Sequence, residues 1–456
     1  MGNTRTKIIA GAVLLAIGLT AAGSAMSTDV YGGGATLPAG GYVGFDFARG
    51  TGNAVLSSNT GNNNNAPGAL AASAVASNSM FGAWVASTGT PAIHKISYCQ
   101  TGSGNGKKIF DNTDGASPAT ALDPTNFCTG GLVGFGENTS ATVKPHFAGS
   151  DAPMSQSEFT WFSSPGGKGT TFGQPSEFPA VIGSVAIVFN NSHASSVNLS
   201  IDQVCRVFSG AAATWGDINL VGPNGLATDP IKVVYRGDGS GTTFSLSNFL
   251  SNNCAGTAAA HFVTDQAFTM VDSKFGLPSG SIAATGNPGV INQVSTTAGS
   301  IGYAEAANLA DAVAHGLTLD HAKVAGMDPV TNLPNAIALV TSFDRAITGA
   351  DATTGIATTA GLTSTHIAQC VNLVEPSTYA KPPVDSSGNP TRYPILAVSY
   401  LIANSNGNGS DGDAVRSLFS FLYTHANVTT IGTGTGYAFV TATPALKNRV
   451  APCINN

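Results

Sequence analysis

A chain of 456 residues is long enough for two domains, yet only 10% of it is Asp, Glu, Lys or Arg and its formal net charge is −6. That balance argues against nucleic acid as a partner, because counterion release needs a basic footprint. Any anion site must instead be made locally, from aimed donors. Six cysteines, none in a Cys-x-x-Cys pair, suit an oxidising compartment and speak against zinc or dithiol chemistry.

In chain order, Arg5 and Lys7, the apolar run Ile8 to Leu19 and the small residues Gly23-Ser24-Ala25 read as an export signal over residues 1–25. The run is short for a membrane span, and no later stretch of about 18 apolar residues follows. A soluble exported chain is therefore expected, periplasmic or secreted to the cell exterior. Gly50 to Thr90 is rich in Gly, Asn, Ala and Ser around Asn62–Asn65, and reads as a long surface loop or a weakly ordered insertion. Asn112 to Thr142 reads as a second insertion, bracketed in part by Cys99 and Cys128. The apolar runs Ile93–Tyr98, Val181–Phe189, Ile231–Tyr235 and Ile395–Ile402 predict strands. Ser200-Ile201-Asp202-Gln203 is a capping-box pattern opening a helix that Gly210 can stop. Val415, Leu418, Phe419 and Leu422 follow the i, i+3, i+4, i+7 spacing of another helix. Strands alternating with helices imply an α/β fold with mixed sheets. Of the fifteen pairings open to six cysteines, short-loop closure favours Cys99–Cys128 and Cys205–Cys254 and leaves Cys370–Cys453 by default. Free buried thiols are the alternative.

Four segments place small or hydroxylic residues at a turn, mostly just before a helix. They are Gly32 to Pro38, Thr101 to Gly106, Ala148 to Pro153 and Arg236 to Thr242. Glycines bare the backbone N–H groups, and a helix N-terminus adds unpaired donors and a favourable dipole, so such turns bind anions without net charge. Each alone is an ordinary turn or cap. Asp151 by itself reads as a turn residue, and Ser155-Gln156-Ser157-Glu158 just beyond it is a capping box. The four together, with one cation (Arg236) and one carboxylate (Asp151), point to a shared site.

These segments carry a resemblance to the substrate-binding proteins of bacterial phosphate ABC transporters (PstS) and the related DING proteins. The G-x-G-A-T-x-P opening stands at Gly32 to Pro38, the G-S-x-x-G turn at Gly102 to Gly106 and R-x-D-G-S-G-T at Arg236 to Thr242. The G-S-D loop stands at Gly149 to Met154, with Met154 in place of Leu. Phe178 to Gly183, Ile301-Gly302-Tyr303 and Tyr393-Pro394-Ile395 match as well. The resemblance implies a type II, two-lobed periplasmic-binding-protein-like fold with mixed sheets flanked by helices and a hinge between the lobes. Lobe I would hold residues 27–188 plus 394–456, with the two insertions, and lobe II residues 189–393. The chain would return through Lys381 to Pro394. A Cys370–Cys453 bond would then link the lobes and restrict their opening.

The implied phosphate ligands are Thr36, Leu37, Ser103, Asp151, Arg236, Ser240, Gly241 and Thr242, with Asp238 holding Arg236. The DING branch departs at Asp238, which places this motif nearer the transporter proteins. The implied function is capture of inorganic phosphate for a membrane phosphate permease, by a monomer without cofactor or metal. A DING-like secreted scavenger is the alternative, because both insertions depart from the transporter pattern. A phosphatase is a further one, although the eight histidines show no HxxxH or HxH spacing, Ser103 and Ser240 lack a G-x-S-x-G elbow, and no P-loop lysine is present. Asp151 has a physical use beside an anion. An ionised carboxylate only accepts hydrogen bonds, so it welcomes the proton that phosphate still carries near neutral pH and meets only acceptors on sulfate.

Overall fold

The computed structural model describes residues 28–44, 55–57, 79–89, 94–111, 145–333, 339–363, 367–424, 436–440 and 443–456. The export signal, most of the two insertions, and Cys128 with its expected pairing to Cys99 lie outside them. The first strands are β1 (Thr28–Gly34), β2 (Val55–Ser57), β3 (His94–Gln100), β4 (Phe147–Ser150), β5 (Pro175–Phe189), β6 (Asn198–Leu199), β7 (Lys232–Arg236) and β8 (Ile282–Ala284). They are followed by β9 (Ser300–Glu305), β10 (Asp320–Val324), β11 (Thr341–Phe343), β12 (Arg345–Ala350), β13 (Ala357–Gly361), β14 (Asn372–Val374), β15 (Leu396–Asn404) and β16 (Tyr437–Phe439).

Twelve of these form one continuous sheet whose main path runs β2-β3-β1-β4-β15-β5-β9-β7-β8. It has two halves that share β5. Residues Pro175–Ser184 pair antiparallel with β15, and residues Val185–Phe189 pair antiparallel with β9. Every residue of β5 is buried, as expected of a strand covered on both faces. The chain comes back beside the point where it crossed: Val185 N donates to Ile395 O (2.9 Å), and the Tyr393 hydroxyl donates to Val185 O (2.9 Å). This is a mixed α/β, two-lobed architecture with a strand hinge. β1 lies parallel to β3 and β4, and β7 lies parallel to β8 and β9. The carboxyl ends of β1, β3 and β4 in one half and of β7 in the other carry the four turns singled out above. In open α/β sheets the crevice at strand carboxyl ends is where ligands bind.

All four predicted strands are present, extended or shifted by a few residues. β5 begins six residues before the predicted Val181, because Pro175, Glu177 and Pro179 interrupt the apolar run. Pro179 is tolerated at a register shift, where β15 steps from Val181 opposite Ser399 to Pro179 opposite Tyr400, and a bulge spares proline the N–H it lacks. The capping box at Ser200 opens the helix Ile201–Phe208 with both its bonds formed. Val415, Leu418, Phe419 and Leu422 are the buried face of the helix Gly412–Thr424. The surface-loop expectation for Gly50–Thr90 is corrected at its described residues only, 55–57, which form β2, and 79–89. Its end is the helix Met80–Ser87, capped by Ser79, which buries Met80, Phe81, Trp84 and Val85. Phe81 stacks on Tyr42 at 4.9 Å between ring centroids.

Two of the expected disulfides are present among the described residues, Cys205–Cys254 and Cys370–Cys453. The second does not link the lobes as expected but sits within the first half, against β5: Glu177 N donates to Cys370 O (2.8 Å) and Ser176 Oγ donates to Cys453 O (2.7 Å). Among the described residues no helix is long and apolar enough to cross a membrane.

Candidate functional site

In the first half, three loops are zipped together. Ala35 N donates to Gly149 O (2.8 Å), Thr101 N to Gly34 O (2.9 Å), and the Tyr98 hydroxyl to Ala35 O (2.7 Å). Gly34, at φ 131°, has to be glycine, because a Cβ there would stand 2.1 Å from Gly149 O. This zipper holds Thr36 and Leu37, Ser103 and Asp151 in one buried cluster, each no more than 1% exposed. Ser103, the first residue of the helix Ser103–Asp111, accepts a hydrogen bond from Asp151 N (2.9 Å), and its hydroxyl points at Asp151 Oδ2 (3.4 Å).

The loop beyond Asp151 is pinned from below. Lys107, one turn after Ser103 and buried, pairs with Glu158 (2.9 Å) and donates to Pro153 O (3.3 Å). Glu177 Oε1 accepts from Met154 N (2.7 Å), and the capping box at Ser155 is complete. The segment is therefore a pinned turn leading into a complete capping box.

In the second half, Arg236 ends β7. Its backbone N–H donates to the Tyr303 hydroxyl (3.1 Å), which also bonds Thr243 Oγ1 (2.6 Å). Its guanidinium is held by Asp238 through Nε (2.7 Å) and through Nη2, and Asp238 in turn accepts from Gly286 N (3.1 Å). Arg236 Nη1 faces Thr242 Oγ1 (3.5 Å) and Asn287 Oδ1 (3.3 Å). Ser240 caps the 13-residue helix Gly241–Asn253 by accepting from Thr243 N (3.1 Å). The first-turn N–H groups of Gly241 and Thr242 have no partner within the helix, by its geometry.

The halves meet here. Gly104 N donates to Gly239 O (3.0 Å), and a Cβ on Gly241 would lie 2.4 Å from Asp151 Cβ and 2.5 Å from Ser103 Oγ. The structure thus brings Ser103 and Asp151 together with Gly241 and with the Arg236–Asp238 pair, flanked by Ser240 and Thr242, while Thr36 and Leu37 follow Ala35 in the zipper of the first half. Burial pushes the Asp151 carboxyl up to about 7, against the opposing pull of Ser399, Arg236 and Ser103. Its Oδ1 and the Thr36 hydroxyl have no hydrogen-bond partner. For Asp238 burial works upward but loses to the Arg236 charge, and the carboxyl is held below its usual range. The Arg236–Asp238 pair is therefore ionised and nearly neutral, so donor geometry rather than net charge defines the site. Among the described residues no group of three or more His, Cys, Asp or Glu could hold a metal ion.

Asn287, Ser399 and Glu305 were not visible as site residues in the sequence. Glu305 is a buried carboxyl forced toward its neutral form by burial, with Asp151 adding to the shift. Tyr303 had a signal, the Ile301-Gly302-Tyr303 match, but no role until its hydroxyl was seen under Arg236.

Two α/β halves joined by one long strand, with binding groups converging from both, define a two-lobed binding protein. The chain belongs to the PBP superfamily: the model of the PBP superfamily domain matches residues 58–426. Among curated relatives, alkaline phosphatase L of Pseudomonas aeruginosa strain PAO1 is 33% identical over 210 residues, 46% of this chain and 49% of that protein. A phosphate-binding protein of an unknown prokaryotic organism is 35% identical over 183 residues, 38% of this chain and 47% of that one. The alignments span about half the length of these relatives. Among solved structures, the periplasmic phosphate-binding protein PfluDING, bound with phosphate, superposes with a TM-score of 0.54 at 25% identity and 93% coverage of both chains. A phosphate-binding protein from Stenotrophomonas maltophilia shares the fold, with a TM-score of 0.55 at 23% identity and 93% coverage of both chains.

Proposed function

We propose that the chain binds inorganic phosphate between its two halves and releases it unchanged. The observation that carries this reading is the meeting of Asp151 and Ser103 from one half with Gly241 and Arg236 from the other. One buried carboxyl among hydroxyl and N–H donors suits a tetrahedral oxyanion that still has a proton to share. Thr36, Leu37, Ser103, Ser240, Gly241, Thr242 and Arg236 supply donors, Asp151 shares the proton, and Asp238 orients Arg236. The proposed lobes follow the division 27–188 plus 394–456 and 189–393, except that Cys370 to Val374, bonded to Glu177 and Tyr400, goes with the first, and closure of the cleft around the ligand is the expected motion. The relatives named for phosphate binding support this reading.

Export and delivery to a membrane phosphate permease complete the proposal, for a monomer acting outside the cytoplasm. A secreted scavenger is separated from it by cell fractionation. The relative named as a phosphatase calls for a turnover test. A phosphatase needs an activated nucleophile or a metal cluster, and turnover reads whether the Ser103–Asp151 pair acts as one. Calorimetric titration of phosphate-stripped protein should give one phosphate per chain, arsenate binding close behind, and sulfate much weaker. Incubation with a chromogenic phosphomonoester should release no product. Equal affinity for sulfate, or steady turnover of the ester, overturns the reading.

A further inference from the structure

We propose that Asn287 is an additional ligand-binding residue of this site, donating from its side-chain Nδ2 to an unprotonated oxygen of the bound anion. The inference rests on the phosphate reading above and deepens it by adding a donor outside the four turns.

Asn287 is the second residue of the 11-residue helix Gly286–Thr296 and is fully buried. The preceding Gly286, at φ 67°, turns its N–H onto Asp238, the carboxylate that holds Arg236. The start of this helix is thus fastened to the same Arg236–Asp238 pair that the site depends on. The orientation of the Asn287 amide follows from its neighbour. Arg236 Nη1 can only donate, so the atom facing it at 3.3 Å must be the carbonyl Oδ1, and a flipped amide would set donor against donor. Nδ2 is then turned away from Arg236, is buried, and has no hydrogen-bond partner.

A buried NH2 group without an acceptor is a cost that folded proteins avoid. The same Nη1 also faces Thr242 Oγ1 at 3.5 Å, so the amide lies one guanidinium nitrogen away from the first turn of the helix Gly241–Asn253. An oxyanion seated on that first turn supplies the missing acceptor. The donor is neutral, which suits a site whose one guanidinium is already balanced by Asp238. Asp151 would deal with the protonated oxygen, and Asn287 would read a bare one.

The test uses the full chain and inorganic phosphate. Asn287→Asp keeps the size and the acceptor toward Arg236 but converts the donor into an acceptor. Calorimetry should show phosphate affinity reduced by at least about 10-fold, the scale of one lost hydrogen bond to a charged group, with the melting temperature of the phosphate-free protein not lowered. In wild-type protein labelled with nitrogen-15, the Asn287 amide signal, assigned by its loss in Asn287→Asp or by sequential assignment, should shift on phosphate addition. It should then exchange its protons more slowly and couple to phosphorus-31. A purely structural role through Oδ1 would leave that signal without phosphorus coupling. Affinity within about threefold of wild type, or an amide signal blind to bound phosphate, overturns the Asn287 proposal while the phosphate reading stands. Failure of the wild type to bind phosphate at all overturns both.

Discussion

The space left by a missing methyl group decides how closely the two halves approach at Gly241. A Cβ there would lie inside the contact radius of both Asp151 and Ser103. Gly241→Ala should therefore hold the cleft ajar, and phosphate affinity should fall at least about 10-fold with little change in the melting temperature. Unchanged affinity would mean that this contact is not part of the bound state. Asp151 acts through its proton. With its carboxyl pushed up to about 7, it is largely ionised at pH 8 and largely neutral at pH 6. The ionised form only accepts and rejects sulfate, whereas the neutral form can donate to it. Discrimination against sulfate should thus weaken as pH falls from 8 to 6. Asp151→Asn should lose about 10- to 100-fold of the discrimination seen at pH 8, the equivalent of one charged hydrogen bond. Paired calorimetric titrations at the two pH values decide it, and selectivity that survives in the mutant removes Asp151 from the site.

Among the elements, β5 and the segment stapled to it bear most on stability. Cys370–Cys453 closes a stretch of 83 residues against the first half of β5, through Glu177 and Ser176. Loop-entropy arguments assign such a closure about 4.5 kcal/mol. Replacing both cysteines by serine should lower the melting temperature by roughly 5–10 °C and leave phosphate affinity unchanged, since neither cysteine touches the site. A melting temperature unmoved by the double substitution would place the restraint in the backbone contacts instead. The elements also divide by how visible they were. The capping boxes at Ser155 and Ser200 were readable because both partners lie three residues apart. The helix Met80–Ser87 was not, because its apolar residues follow a long Asn- and Gly-rich run that dominates the composition of the window. The first part of β5 was hidden by Pro179, which only the bulge opposite Ser399 and Tyr400 makes acceptable.

Over the whole molecule, burial of ionisable groups sets a pH dependence of stability. Asp272 is 1% exposed, neither carboxyl oxygen has a hydrogen-bond partner, and burial pushes its carboxyl up to about 8. Glu177 is likewise pushed up to about 8 by burial. A carboxyl whose folded value lies above its unfolded value of about 4 favours the folded state fully only below about pH 4. That contribution is lost as pH rises through about 8. Asp272→Asn should accordingly melt at the same temperature as wild type or lower near pH 4 and gain on it steadily toward pH 8.5. Parallel melting curves across that range would show that Asp272 is solvated in the folded protein.

The amino-acid sequence by itself determined what depends on neighbours a few residues apart. The glycine-rich turns, the helix starts at Ser200 and Ser240, the apolar runs of the central strands and the types of donor in the site were all local chemistry. Only the tertiary structure decided which distant groups those donors would meet. Asn287 stands 51 residues beyond Arg236 and Tyr303 stands 67 residues beyond it, yet both hydrogen-bond to it. The proton affinity of Asp151 is likewise a property of everything that buries it. Desolvation is summed over segments from the whole chain, so no window of sequence contains it.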